Sequence, residues 1–332
     1  MLPAGNWITV RSASVLDAML LIVNSSISTL AQLEDYYDSA PPARSRVEEI
    51  GPFTLFVAES GWPYYARPRL GWSRKARPPE EGAQPPEEGA QPPEEGAQPP
   101  EEGAQPPEAA TVDDVREVLS RQRQLGVPQA LEWVDETTPG LVDVVRSAGA
   151  IVERCPLLRL DGDPVGTAGT ARMLNPDNRT DIASTQAAIA VSFENGGTAT
   201  GAAGLEARDE HVRSGGLDKL DHLEPLRERL AEGKVRMAAV SSPDAPHAGP
   251  VGGGSYIPVR RVAEIVGVGV LPAFRRRGLA GDLTYVLAQD ALERGVTTVF
   301  CSAQSDDVAR VYEAVGFRRV GTACIAAVEP AS

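Results

Sequence analysis

The alternation of apolar and polar positions divides the chain into two series of elements. In the first, helical spacing runs from about Val15 to Leu33, followed by two strand-like runs, GPFTLFVAE and WPYYARPRL. A helix is predicted from about Val112 to Gln124, with Asp113 and Asp114 in its first turn, where the helix dipole favours acids. A strand at ALEWV, a helix from Gly140 to Ala148 and a closing strand pair in AIVERCPLLRL complete the series. The second series opens with a helix over Asp181–Asn195, stopped by Gly196 and Gly197. Leu217, Leu220, Leu223, Leu226 and Leu230 predict another helix, ended by Gly233. Strands follow at VRMAAVS, SYIPVR and VAEIVGVGVL, then a helix from Leu279 to Glu293 and a buried strand at TTVFCSA. A helix from Asp306 to Ala314 and one or two closing strands in FRRVGTACIAAV end the chain. Helices, then antiparallel strands, then strand–helix–strand–helix–strand predict an α/β fold, a mixed sheet with helices on both faces.

Between the first two predicted helices of the first series lies PPEEGAQ, repeated four times from Pro78 to Gln105. Its period of seven is not that of a coiled coil, because each repeat holds a proline pair and a glycine and offers no apolar seam. It reads as a disordered, charge-extended tether spanning about residues 76–110. The organisation expected is a lobe at 1–160 interrupted by the tether, and a second lobe at 161–332. The nine glutamates from Pro78 to Glu108 make up most of the formal net charge of −14. The remainder is mildly acidic, which disfavours nonspecific nucleic-acid binding and suits a cationic substrate.

Cys155, Cys301 and Cys324 are too scattered for a disulfide framework, and none has metal-ligand spacing with His211, His222 or His247. Reduced, buried thiols in a cytoplasmic protein, with no metal, are therefore expected. The apolar stretch SVLDAMLLIV contains Asp17, is too short to span a bilayer and lacks a cleavage-site pattern, so neither a membrane span nor a signal peptide is expected.

Shifted by 167 positions, the end of the first series overlays the end of the second: Trp133 meets Phe300, Thr138 meets Ser305, Gly149 meets Gly316. Where the second copy has Tyr312 the first has Val145, and where the second has an arginine–glycine corner the first has the tether. Two copies of one fold, the first without its working parts, account for this pattern.

That corner is VGVLPAFRRRGLAG, residues 268–281. A strand through Val268, Gly269 and Val270 reaches a turn that opens into a helix. The first amides of a helix have no intrahelical acceptor and point outward with the positive end of the dipole behind them. Gly278 and Ala280 leave room beside them, and Arg275, Arg276 and Arg277 add charge. This is a corner for an anion such as a pyrophosphate. A Rossmann Gly-x-Gly-x-x-Gly fingerprint is absent from it.

The segment resembles the acyl-CoA signature of the GNAT acetyltransferase superfamily, with Arg275, Gly278 and Ala280 at the Arg/Gln-x-x-Gly-x-Gly/Ala positions. SDDVARVYEAVGF is similar to that superfamily's closing segment through Tyr312, Gly316 and Phe317, with Ser305 where asparagine is common. The likeness extends over roughly residues 200–328 and, through the repeat, to tandem GNAT proteins with one degenerate copy. It implies acetyl-CoA as co-substrate. The pyrophosphate would lie on the amides of about Arg276 to Gly281, including Leu279, and the pantetheine arm along Val268–Val270, reaching Ser305. A splayed gap between this strand and TTVFCSA would admit the arm, and a small amine would attack the thioester directly. Glu264, eleven residues before Arg275, stands where some members place a general base; an ordinary ion-paired strand carboxylate is the other reading. Tyr312 would protonate the leaving thiolate. Cys301 as a nucleophile is disfavoured by its buried strand.

The alternative function is a non-catalytic acyl-CoA sensor or scaffold on the same module. Nucleic acid, membrane and metal have no support, and a monomer or homodimer is expected. The acceptor pocket is expected from roughly Asn175–Gly215 together with SSPDAPHAGPVGGG, read as a mobile glycine- and proline-rich loop.

Overall fold

A computed structural model describes residues 29–41, 45–58, 65–72, 109–215, 217 and 220–328. The tether, and the predicted helix before residue 29, lie outside the described residues. The chain divides into two compact units, Met1–Pro42 with Arg154–Ala323, and Ala43–Glu153 with Cys324–Ser332. Residues 29–41, expected in the first lobe, group with the larger unit, and residues 324–328, expected in the second, with the smaller. Each unit is thus assembled from two stretches of sequence.

In the smaller unit, strands β1 (Ser45–Ile50), β2 (Phe53–Ala58) and β3 (Ala66–Pro68) pair antiparallel, and β3 pairs parallel with β4 (Ala130–Val134). Between β3 and β4 lies helix α2 (Val112–Gln124), and after β4 comes α3 (Leu141–Ser147). The start of α2 is set locally: Thr111 Oγ1 accepts from the Asp114 amide while the Asp114 carboxylate accepts from the Thr111 amide. Phe53, Leu55, Leu131 and Trp133 from the strands meet Val115, Val118 and Val145 from the helices in one apolar core. Cys324 and Ala326 of the chain's last strand join it.

The larger unit holds strands β5 (Ile151–Leu160, which enters it at Arg154), β6 (Ala171–Met173), β7 (Arg236–Ser242), β8 (Ala245–Val259), β9 (Val262–Val270) and β10 (Thr298–Ser302). Their spatial order is β5-β10-β9-β8-β7-β6, and β9·β10 is the parallel pair. β11 (Phe317–Ala327) ends the chain as one strand, and β5 is likewise one strand where a pair was expected. Helix α7 (Leu279–Glu293) and α8 (Asp306–Ala314) cover one face through Leu283, Leu287 and Tyr312. The other face is covered by α1 (residues 29–39), α4 (Arg179–Glu194) and α6 (Leu220–Ala231). Helix α5 (Leu205–Ser214) was not anticipated. The successions β3–α2–β4–α3–β5 and β9–α7–β10–α8–β11 are the same, each around one parallel strand pair.

One expectation is overturned here. SSPDAPHAGPVGGG is not a mobile loop but a β-hairpin, turned at Pro243–Asp244, with Gly252, Gly253 and Gly254 buried inside β8. Gly252 and Gly254 face β9, and Gly253 faces Thr185 of α4, each too near for a side chain. A Cβ at Gly252 would lie 2.6 Å from the carbonyl oxygen of Gly269.

Candidate active site

Strand β9, on which the sequence-predicted site residues fall, parts from β10 early. Their pairing is three residues long, Thr298↔Val262, Val299↔Ala263 and Phe300↔Glu264. Beyond Glu264, β9 continues to Val270 with β8 alone, while β10 turns its remaining pairing to β5 at Cys301↔Leu158 and Ser302↔Leu157. A bulge drives the separation. Between Ser255↔Val266 and Gly253↔Gly269, β9 has an extra residue, and Gly267 sits there at φ 66°. A bulge bends and twists the strand that carries it, here away from its parallel neighbour.

At its end β9 passes Pro272–Phe274 and enters α7. Gly278 caps that helix at φ 80° with no side-chain hydrogen bond. The first intrahelical bond runs from the Asp282 amide to the Gly278 carbonyl at 3.1 Å, so the amides of Leu279, Ala280 and Gly281 precede the ladder. Arg276 holds φ 65°, an uncommon conformation for a side-chain-bearing residue and one that turns neighbouring amides to a common concavity. This turn fits a diphosphate: open amides, a helix N-terminus behind them and a cation on the rim.

The three arginines divide their work. Arg277 pairs with Asp244 at 2.9 Å and stacks over Phe274. Arg275 donates to four main-chain carbonyls, those of Val270, Ser192, Asn195 and Ala199. Arg276 makes no hydrogen bond or ion pair among the described residues, which leaves its guanidinium available to an anion.

Glu264 and Tyr312 lie on opposite faces of the sheet beside the gap. Ala263 and Ile265 point into the α7 core, so Glu264 points to the α1–α4 face. There Tyr37 donates to Glu264 Oε1 at 3.4 Å, from 227 positions away in sequence. Helix α1 is anchored over this face by Tyr36 Oη to the Ile257 carbonyl, by Thr298 to Gln32 and by Arg159 to Thr29. Tyr36 and Tyr37 pack edge-on against Phe300, the register partner of Glu264. Sequence reasoning missed Tyr37, and nothing local to it signals the contact.

Tyr312 is buried, and burial, with the charge of nearby Glu264 adding to it, holds its hydroxyl well above the usual phenol range. It remains a proton donor at neutral pH. Burial and the same carboxylate also push the Cys301 thiol up, so no thiolate is present there. Ser305 is occupied as the N-cap of α8, accepting from the Val308 amide. Asp282, on the first turn of α7, is raised by burial beside Gly169. Among the described residues, no group of three or more His, Cys, Asp or Glu is placed to hold a metal, and no helix is long and apolar enough to cross a membrane.

Residues 243–317 match the Acetyltransferase (GNAT) family. The chain shares its fold with a GCN5-related N-acetyltransferase from Kribbella flavida at TM-score 0.56 and 17% identity, over 91% of this chain and 96% of that one. A GCN5-related N-acetyltransferase from Sphaerobacter thermophilus matches at TM-score 0.43 and 16% identity, over 64% of this chain and 65% of that one. A tandem GNAT protein from the clavulanic acid biosynthesis pathway matches at TM-score 0.37 and 16% identity, over 67% and 69%. No curated protein matches the chain.

Proposed function

We infer that this chain, which carries a GNAT acetyltransferase segment at residues 243–317 on a GNAT fold, is an acetyl-CoA-dependent N-acetyltransferase acting on a small amine. The observation that carries the reading is the early end of the β9–β10 pairing at Glu264↔Phe300, on a strand that then delivers an uncapped helix start. The amides of Leu279, Ala280 and Gly281, with Arg276, bind the pyrophosphate. The edge of Val268, Gly269 and Val270 that β10 leaves unpaired takes the pantetheine arm by sheet-like hydrogen bonds and aims the thioester into the gap.

Glu264 takes a proton from the ammonium form of the acceptor, since an ordinary amine with pKa near ~10.4 is protonated at neutral pH. The amine nitrogen then bonds to the thioester carbon. A β9 amide near Val270 stabilises the oxyanion, and the carbon–sulfur bond breaks as that oxyanion collapses. Tyr312 gives its proton to the departing sulfur, and the proton then lost by the acylated nitrogen passes through solvent to restore the tyrosine. The smaller unit, with the same succession of elements and Val145 where Tyr312 would stand, is a duplicate that has lost this chemistry.

The test is thiol release from acetyl-CoA with a panel of amines. Glu264→Gln is expected to lower turnover by ~100-fold or more, from the lower end of the range for a general base upward, and Tyr312→Phe by about tenfold, because a thiolate already leaves readily. Coenzyme A binding without turnover on any amine would overturn the enzyme reading and favour an acyl-CoA sensor.

A further inference from the structure

The structure assigns Arg275 a task different from that of its two neighbours. We propose that Arg275 is a positioning residue: its guanidinium ties the anion-binding turn to the segment 192–204, so that coenzyme A bound at the turn orders that segment. The proposal rests on the acyl-CoA reading above.

A guanidinium has five N–H donors and no acceptor. That of Arg275 makes four hydrogen bonds, all to main-chain carbonyls: Nε to Val270 at 3.0 Å, Nη1 to Asn195 at 2.9 Å and Ala199 at 3.0 Å, and Nη2 to Ser192 at 2.8 Å. The Ser192 and Asn195 carbonyls belong to the last turn and cap of α4. Helix-end carbonyls lack intrahelical partners and form the negative end of the dipole, so a cation there is doubly suited. The fourth bond reaches the end of β9. One side chain therefore joins the strand that would carry the pantetheine arm, the end of α4, and the connection after α4.

The same two segments are stitched a second time through backbone. The Gly201 amide donates to the Pro272 carbonyl at 3.2 Å, and the Ala273 amide donates to the Ala203 carbonyl at 3.0 Å. These two bonds bring residues 201–203 alongside residues 272–273, and the Arg275 guanidinium carries the tie on to Ala199 and the end of α4. That connection runs between α4 and α5, beside the α4 face on which Glu264 opens. Arg276, next in sequence, is engaged by nothing among the described residues and is the arginine that meets phosphate.

Amide hydrogen exchange of the full chain, with coenzyme A as probe, tests this. At free coenzyme A a hundred times its Kd, linkage slows any opening that must release the ligand by about 100-fold. In the wild type, exchange at 276–282 and at 196–204 is expected to slow together, by on the order of ten- to a hundredfold. In Arg275→Gln, binding is expected to persist by calorimetry and protection to remain at 276–282 but be lost at 196–204. In Arg276→Gln, coenzyme A affinity is expected to fall. If Arg275→Gln does not fold, Arg275→Lys keeps the charge without the planar fork and is expected to lose the same protection. Wild-type binding without protection at 196–204 overturns the coupling, as does protection there that survives both Arg275 variants. Failure of the wild type to bind coenzyme A overturns the acyl-CoA reading itself, a result distinct from either of these.

Discussion

Gly252→Ala is the substitution whose cost can be worked most directly from the packing. Gly252 pairs with Val270 across β8 and β9. A methyl group there would lie 2.6 Å from the Gly269 carbonyl oxygen, 3.0 Å from Val270 Cγ2 and 3.1 Å from Val270 Cα. Carbon contacts become favourable only near ~3.5 Å, so the strands must part by roughly 0.5–1 Å. Two of the three obstacles are backbone, and no rotamer change relieves them. Overpacking of this kind costs ~1–3 kcal/mol, which for a chain of this size lowers the melting temperature by about 2–10 °C. The strand that moves is the one that runs into the start of α7, where the proposed site for coenzyme A lies. Coenzyme A affinity is therefore expected to fall with stability. Differential scanning calorimetry measures the first effect and isothermal titration with coenzyme A the second. Gly196→Ala is the control for stability, since its nearest neighbours would lie 4.0 Å away; a change within about 0.5 kcal/mol is expected. The reasoning fails if Gly252→Ala melts within about 1 °C of the wild type.

In the smaller unit, burial pushes Glu132 from its ordinary 4.5 up to about 7, against a partial pull downward from Arg67. A raised acid binds protons more tightly folded than unfolded, so its contribution is full below about pH 4.5 and is lost as pH rises towards 7; the loss is on the order of 3 kcal/mol. Glu132→Gln is expected to unfold in urea at higher concentration than the wild type at pH 8 and at a similar one at pH 4.5; equal midpoints at pH 8 would count against it. Tyr37→Phe keeps the ring against Phe300 and removes the donor to Glu264. Turnover is expected to fall about fivefold, the worth of one hydrogen bond, with coenzyme A affinity unchanged, and unaltered turnover would remove Tyr37 from the site.

What the sequence made legible is what its neighbours along the chain determine. The helices over 112–124, 279–293 and 306–314 begin and end where expected, because their starts are written by Thr111 with Asp114, by Gly278 and by Ser305, all within a turn of the residues they cap. The open amides at the start of α7 were legible for the same reason, since a helix start needs no distant partner. Gly252–Gly254 was misread because a glycine run signals a loop and a close strand approach equally; the deciding neighbour, Gly269, is reached only through the β8–β9 pairing. Tyr37 was missed because its partner is 227 residues away. Arg275 was legible as a charge at the right corner but not as a set of bonds, because its acceptors lie near residues 192–199 and appear only when α4 packs on the sheet. A motif of three arginines thus fixes where positive charge collects, while the direction of each guanidinium is set by the carbonyls and carboxylates that the rest of the fold brings to it. Assigning all three to one ligand from their adjacency would count the same corner three times.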